Sequence, residues 1–479
     1  MADDAKDIAA IFSLLEAVRD FNGLEEACLK IARDLMVKVL ETLDEILLMQ
    51  RPKGYRVAGF KKRTIATRLG DITYVRRLYV KATKGKKRGK GRFLVDEVLN
   101  IRRKRRVSGG LLKLMVSLAT RLPFRQAAEV LEEAGFPALS HGAIHREVRR
   151  YGQEQAELQE ELRHRLFTAG QSEGEGQRTV PILFIEADGV MVNAQRSDTK
   201  RLEIKVALVH EGWERKSPGS KELKLINPRV YIGLFQDGES FWEALSVDIS
   251  KRYNLAKDPI IVLNGDGASW IQDTARKYFP NLIVQLDRFH LFRDIRKTFD
   301  DKTAGALIQA LQRGQVDVFL DTMESLIREG INREARQRRK ALWRFCCRYR
   351  DHLVDYRQRL PYKPEGKELY GMGAIETIVD KKVANRMKKR GMSWSRKGAL
   401  AMAALLMLKS NGELFTWLDC EIGPEIQNPL KILRTKTPKI LSNAAEWLQV
   451  SLPALRGPCQ SKHWIKLLSE IAYPKFSVA

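Results

Sequence analysis

The sequence predicts an α/β fold: a sheet domain interrupted by an all-helical insertion and preceded by a β-hairpin and a helical region. Three observations carry this. Short apolar runs of β type begin at residue 182 and later alternate with helical patterns, as in DPIIVLNGDGASW and LIVQLDRFHLFRDI. A basic helical block, roughly 296–365, separates those runs from the acid-bearing segment GAIETIVDKK. Ahead of the sheet, RTIATRLGDITYVRRLYV holds two β-like runs around a Gly70–Asp71 turn.

Composition bounds the rest. A chain of 479 residues buries a sizeable core and divides into a few domains. The longest strongly apolar run, Ala399 to Leu408, is too short to cross a bilayer. The start, MADDAKD, lacks the basic opening of a secretory signal. Cys28, Cys346, Cys347, Cys420 and Cys459 form no CxxC pair, which fits a reducing compartment and gives no structural zinc signal. Lys plus Arg number 85 against 59 Asp plus Glu, a net charge of +26 that calls for a polyanionic partner. Nucleic acid meets that requirement, as do a ribosome and a membrane surface.

The charge is uneven along the chain. Residues 1–50 carry 5 basic and 11 acidic side chains, a net of −6, on an amphipathic helical pattern; this is an oligomerisation arm or a packed subdomain. Residues 51–106 carry 21 basic and 3 acidic side chains, a net of +18. There the hairpin alternation places Ile72, Tyr74, Arg76 and Leu78 on one face and Thr73, Val75, Arg77 and Tyr79 on the other. Arg68, Arg76 and Arg77 on the hairpin, with Lys86, Lys87 and Arg88 in the Gly/Lys-rich loop after it, are expected phosphate contacts. Residues 107–160 have the rhythm of a helix-turn-helix. Phe124 to Ala134 is the first helix, Gly135–Phe136–Pro137 the turn and Ser140 the cap. The second helix, Gly142 to Tyr151, presents Arg146, Arg149 and Arg150 to DNA. The polar stretch 152–178 reads as a linker.

The first part of the sheet domain spans 179–295. Ile182 to Ile185 is a strand that ends in Glu186 and Asp188, and Val190 to Ala194 is a second strand after Gly189. Leu202 to His210 is a third, and Tyr231 to Phe235 is a fourth strand or a helix start. Ile260 to Leu263 ends at Asn264–Gly265–Asp266–Gly267, and the run from Leu282 ends at Asp287 with His290 three places on. Acids at strand ends face the crevice of an open sheet. Asp188 and Asp266 each adjoin Gly, which leaves room for a substrate. Two such carboxylates brought together repel, and a divalent cation such as Mg²⁺ removes the penalty. The insertion, 296–365, follows. The last part of the core, 366–412, supplies the third acid, Glu376, with Asp380 as competitor. Lys381, Lys382, Arg386, Lys388 and Lys389 recur at helical spacing as a DNA-facing flank. Residues 413–479 carry no assigned role.

Taken in order, EADGV (186–190), NGDGASW (264–270), LDRFH (286–290) and GAIETIVDKKVANRMKKRGMSW (373–394) resemble the ISLre2-type insertion-sequence transposases. That Mutator-like DDE group is catalogued as UPF0236. The hairpin around Thr67 to Tyr79 and GPCQSKHW (457–464) are similar to it too, so the resemblance spans nearly the whole chain. It implies an RNase H-like core in which Asp188, Asp266 and Glu376 are the catalytic acids and hold two Mg²⁺ ions, with Mn²⁺ as substitute. Asp287 and His290 correspond to the D-x-x-H element, where the His assists near the scissile phosphate or steadies the geometry. The activity implied is cleavage of double-stranded DNA at element ends and joining of the 3′-hydroxyls to target DNA. A homodimer or larger homo-oligomer in the cytoplasm, associated with the nucleoid and not with a membrane, would perform it. The runner-up is a structure-selective nuclease of the same fold that hydrolyses without joining. A small-molecule metal hydrolase leaves the +26 charge unexplained.

Overall fold

The computed structural model describes residues 20–49, 51–81, 91–102, 105–171, 176–328, 332–362 and 368–422. Lys86, Lys87 and Arg88, the first 19 residues and the segment after 422 lie outside the described residues. The chain divides into two compact units. One comprises Met1–Leu112, Leu131–Ala138 and Asp419–Ala479; the other comprises Lys113–Val130 and Leu139–Leu418.

In the first unit a long helix, α1 (Phe21–Met49), lies with an antiparallel hairpin, β1 (Tyr55–Thr67) and β2 (Gly70–Lys81). The hairpin turn is Arg68–Leu69, just ahead of the expected Gly70–Asp71, because Thr67 pairs with Gly70 and its hydroxyl donates to the Gly70 carbonyl at 2.8 Å. Ile72, Tyr74 and Arg76 share one face, as alternation predicts, and that face turns inward. A bulge in β1 between Val57 and Gly59 shifts the register, and opposite it Tyr79 is fully buried while Leu78 is half-buried.

The inward Arg76 corrects an expectation. Asp96, on the short helix α2 (Leu94–Val98), is buried beneath the hairpin. It pairs with Arg63 at 2.5 Å and with Arg76, and accepts from the Tyr74 hydroxyl at 2.9 Å. Arg76 is only 8% exposed, and burial pushes its pKa down to about 10. Arg77 is likewise engaged, by Asp44 of α1 at 2.8 Å. Neither arginine is presented to phosphates; Arg68, at the turn, is exposed.

In chain order α3 (Gly109–Ala119), α4 (Phe124–Glu133) and α5 (His141–Phe167) come next. Ser140 caps α5 as expected, accepting from the Ala143 amide at 3.2 Å. Arg146 and Arg149 are exposed, and Arg150 pairs with Glu154. The expected linker is helical as far as Phe167, because Tyr151, Gly152 and Gln155 are buried on one face of a helix whose other side is polar.

The second unit is built on a mixed sheet in the order β7-β4-β3-β8-β9. Three strands form an antiparallel meander, β3 (Ile182–Ala194), β4 (Arg201–His210) and, after a small β5–β6 ribbon (Trp213–Arg215, Leu223–Leu225), β7 (Arg229–Gly233). Helix α6 (Gly238–Arg252) leads to β8 (Ile260–Gly265), and α7 (Ser269–Ala275) leads to β9 (Leu282–Leu286); both strands run parallel to β3. A mixed sheet flanked by helices is consistent with an RNase H-like core. One expected break is absent: residues 182–194 are a single strand, since β4 pairs across Asp188–Val206 and Gly189–Lys205 without interruption.

Helix α8 (Arg288–Thr298) then enters the insertion, formed by α9 (Asp301–Gln312), α10 (Val316–Arg328) and α11 (Arg333–Arg348). Ile295, Leu307, Phe319, Met323 and Cys346 give it a core of its own. The chain returns through α12 (Ile375–Ile378), a π-helical turn at Val379–Ala384, and β10 (Ser393–Trp394) beside β3. It reaches α13 (Arg396–Ser410), where the apolar run Ala399–Leu408 is buried against α5 and β7. Among the described residues no helix is long and apolar enough to cross a membrane.

Removing Asp96 strands two guanidinium groups in the first unit. Asp96→Ala should cost about 3–5 kcal/mol, read from urea unfolding, whereas Arg68→Gln should leave the midpoint unchanged.

Candidate functional site

The site begins with register. Glu186, Asn264 and Gln285 lie side by side on β3, β8 and β9. Each is followed two residues later by an Asp: Glu-Ala-Asp188, Asn-Gly-Asp266 and Gln-Leu-Asp287. Parallel strands in register therefore bring three aspartates to one level of the sheet. Strand β8 pairs with β3 only as far as Glu186, so Asp188 stands where β3 has outrun its parallel neighbour.

Asp287 caps α8. Its Oδ1 accepts from the His290 amide at 2.9 Å, and its Oδ2 accepts from Asn264 Nδ2 at 2.6 Å. The cap folds the first helical turn so that His290 Nδ1 lies 3.2 Å from Asp287 Oδ1 and 3.2 Å from Glu376 Oε1. Burial alone would raise the Asp287 pKa, but hydrogen bonds from His290 and Asn264 outweigh it and hold the carboxyl below its usual range. The His290 pKa is raised, chiefly by the bond to Asp287, against burial and with help from Asp188 and Glu376.

Glu376 is delivered by a tether. Glu186 is fully buried, and its Oε2 accepts from the Gly373 amide at 2.8 Å and the Ile375 amide at 3.1 Å. Gly373 sits at φ +137°, a conformation side chains other than Gly rarely adopt. The other Glu186 oxygen faces Nε2 of His210 at 3.5 Å, and that fully buried ring stacks on Phe184. The helix that follows contains the π turn, a distortion frequent at functional sites.

The result is one tight group. Ligand atoms of Asp188, His290 and Glu376 all lie within 4.8 Å of one another. Burial pushes the Asp188 pKa up to about 6; His290 and the Gly189 amide oppose the rise, while Asp266 and Glu376 add to it. Burial raises Glu376 as well. Asp266 is outside the tight group but acts on Asp188 through its charge, and its Oδ1 accepts from the Ala268 amide at 2.9 Å. The insertion braces the loop after it: Tyr349 donates to the Gly267 carbonyl at 3.1 Å. Gly267, at φ +96°, has no room for a Cβ, which would come within 2.5 Å of the Phe345 ring.

These residues fit a divalent cation. Glu376 Oε1 is buried without a hydrogen-bond donor, because the Nδ1 hydrogen bond of His290 runs to Asp287. A cation would relieve that oxygen and the mutual repulsion of the acids. Asp380, the competing acid, is exposed and pairs with Lys389 at 2.7 Å. Lys381, Lys382 and Lys388 are exposed on the same segment. Arg386 corrects an expectation: it is 3% exposed, donates to the Ala119 carbonyl at 2.7 Å and lies over the Phe124 and Trp394 rings. It falls on the inner side of the helix, with Val383 and Met387, so it packs in the core and is not a surface cation.

Sequence reasoning named Asp188, His290 and Glu376, which the structure brings together, and missed Glu186, Asn264 and Gln285 as a set. The signal was present: a polar side chain two places before each strand-end Asp, where an inward strand position is ordinarily apolar. Glu186→Ala should release Gly373 and Ile375. Their amides should exchange with deuterium about tenfold faster or more, as loss of charge-assisted bonds requires, while β4 and β8 stay protected.

A family model described as "Uncharacterised protein family (UPF0236)" matches residues 12–421. The chain is 25% identical over 428 residues to a UPF0236 protein in the vanSb 3′ region of Streptococcus gallolyticus, an alignment covering 85% of this chain and 86% of that one. It is also 25% identical over 395 residues to a UPF0236 protein of Caldanaerobacter subterraneus subsp. tengcongensis, covering 81% of this chain and 77% of the relative. The match takes in the hairpin, the sheet, the insertion and every strand-end motif, and the chain belongs to the UPF0236 family.

Proposed function

We propose that this protein is an ISLre2-type, Mutator-like DDE transposase with an RNase H-like core. It cleaves DNA at the ends of an insertion sequence and joins the 3′-hydroxyls to target DNA. One observation carries the reading. Asp188, His290 and Glu376 come from three distant segments and meet within 4.8 Å at the carboxyl edge of a mixed sheet. An acidic centre in a chain of net charge +26 suits a polyanion that is held by the basic surface and cut at the acids. The sheet order supports the core assignment. The name of one Caldanaerobacter relative joins eleven labels from one strain, a pattern suited to a sequence present in many copies.

Asp188, Asp266 and Glu376 would hold Mg²⁺, or Mn²⁺ in its place. When bound, such ions polarise the phosphate and lower the pKa of water. The chain's own groups do the rest. Asp287 holds His290 by Nδ1, which leaves Nε2 as the atom that gives or takes a proton at a phosphate oxygen. Glu186 and Asn264 keep Glu376 and Asp287 in place before substrate arrives. Arg68, Arg146, Arg149, Lys381, Lys382 and Lys388 are exposed and serve the duplex backbone. Two element ends must be held together, so the working form is a homodimer or larger.

The test uses duplexes carrying the DNA that flanks this protein's own gene. With Mg²⁺ or Mn²⁺ the protein should cut them and form joined products; chelation should stop both reactions. Asp188→Asn and Glu376→Gln should abolish cutting while DNA binding persists, and His290→Ala should slow it about 10²-fold. Cutting without joining would make the protein a nuclease. Full activity in Asp188→Asn would overturn the site assignment.

A further inference from the structure

Helix α8 buries Leu291 and Ile295 in the core it shares with the insertion, and Phe292 packs against the same core. Phe289 is different. It precedes His290 directly and is 54% exposed. Among the described residues it is the one exposed large apolar side chain that adjoins a member of the Asp188–His290–Glu376 group in sequence. Its ring meets the His290 ring edge-on, with centroids 5.6 Å apart. An exposed aromatic beside three polar site residues gains nothing from the protein core.

The same side of α8 continues with cations. Arg293, Arg296 and Lys297 lie four, seven and eight residues after Phe289, which places them along one stripe of the helix. All three are exposed; Arg293 meets its neighbour Asp294 at 3.3 Å, and its charge also reaches Glu376. With a rise of about 1.5 Å per residue, the stripe leads away from the site over roughly 12 Å. Aromatic first, then cations at successive helical turns, is the arrangement that holds an unpaired strand: a base stacks on the ring while phosphates follow the charges.

We infer that this edge of α8 binds an unpaired stretch of DNA next to the bond being cut, with Phe289 stacked on a base and Arg293, Arg296 and Lys297 on the phosphates. The inference rests on the reading of the site as one that cuts DNA. It adds that the duplex is opened at the site, because a paired base offers no free face to Phe289. Phe289 and the cations thus fix which nucleotide lies against His290.

The experiment uses full-length protein and three probes: a thymidine strand of about twenty nucleotides, an abasic strand of the same length, and a duplex. Phe289→Ala should weaken binding of the thymidine strand roughly tenfold and leave the abasic strand unaffected, while Phe289→Trp keeps wild-type affinity. Changing Arg293, Arg296 and Lys297 to Gln should weaken both single strands and reduce the salt slope by about 0.7 per cation removed. A strand carrying 5-iodouracil should photocross-link to Phe289, located by mass spectrometry. Thymidine-strand binding unchanged in Phe289→Ala, with cross-links elsewhere, would overturn the inference. If the wild type cuts the duplex but does not distinguish the thymidine strand from the abasic one, this inference fails and the proposed function stands. If it neither binds nor cuts any probe or flanking duplex, the proposed function fails first.

Discussion

A row of buried polar side chains across three parallel strands is the constraint on which the site depends. Glu186, Asn264 and Gln285 are almost completely enclosed, so each must find a hydrogen-bond partner or cost about 1–3 kcal/mol. Inside the sheet there is none to spare, since the strand amides already pair with one another. The partners come from segments that cross the sheet's end. Glu186 takes the amides of Gly373 and Ile375, Asn264 donates to Asp287, and Gln285 accepts from the amide of Tyr356. Pairing Glu186 and Asn264 therefore also helps place Glu376 and His290, while Glu186 Oε1 and Asn264 Oδ1 stay without a hydrogen-bond partner. The fold itself thus brings Asp188, His290 and Glu376 together.

Charge has to be read together with burial. The segment 51–106 has a net of +18, yet Arg63, Arg76 and Arg77 answer Asp96 and Asp44 and do not reach solvent as free cations. Arg386 is the same case on the site helix, where the neighbouring lysines stay outside. The acids show the converse. Asp188 and Glu376 are harder to ionise than usual because burial outweighs the help of the nearby His290. The basic side chains most available to a polyanion are thus fewer than composition suggests, while the acidic centre is the place most in need of a cation.

Much of this was legible. Strand-end acids, the Asp287–His290 spacing, the helix pair and the hairpin all follow from local patterns. What escaped depends on partners far away in sequence. Gly189 reads as a break, but β4 pairs straight past it and keeps β3 whole. The hairpin alternation separates two faces without saying which one turns inward, and so Arg76 was assigned to solvent. The polar stretch after Tyr151 reads as a linker because only one narrow face of α5 is buried. Asp266 was grouped with Asp188 and Glu376 by its motif; the closest trio has His290 in that place.

Helix α8 joins the two halves of this arrangement. Its first turn is made by Asp287 and carries His290 to Glu376; its inner face, through Leu291 and Ile295, belongs to the core of the insertion. The insertion in turn rests on the loop after Asp266 through Tyr349 and Phe345. An insertion between the second and third acids is thus more than added surface. It touches the backbone beside Asp266 at one end and shares the helix of His290 at the other, so a displacement of its core must move both residues relative to Asp188. Because packed cores are dense and do not deform smoothly, the packing of the insertion and the placing of His290 and the loop after Asp266 are set together through this helix and that loop.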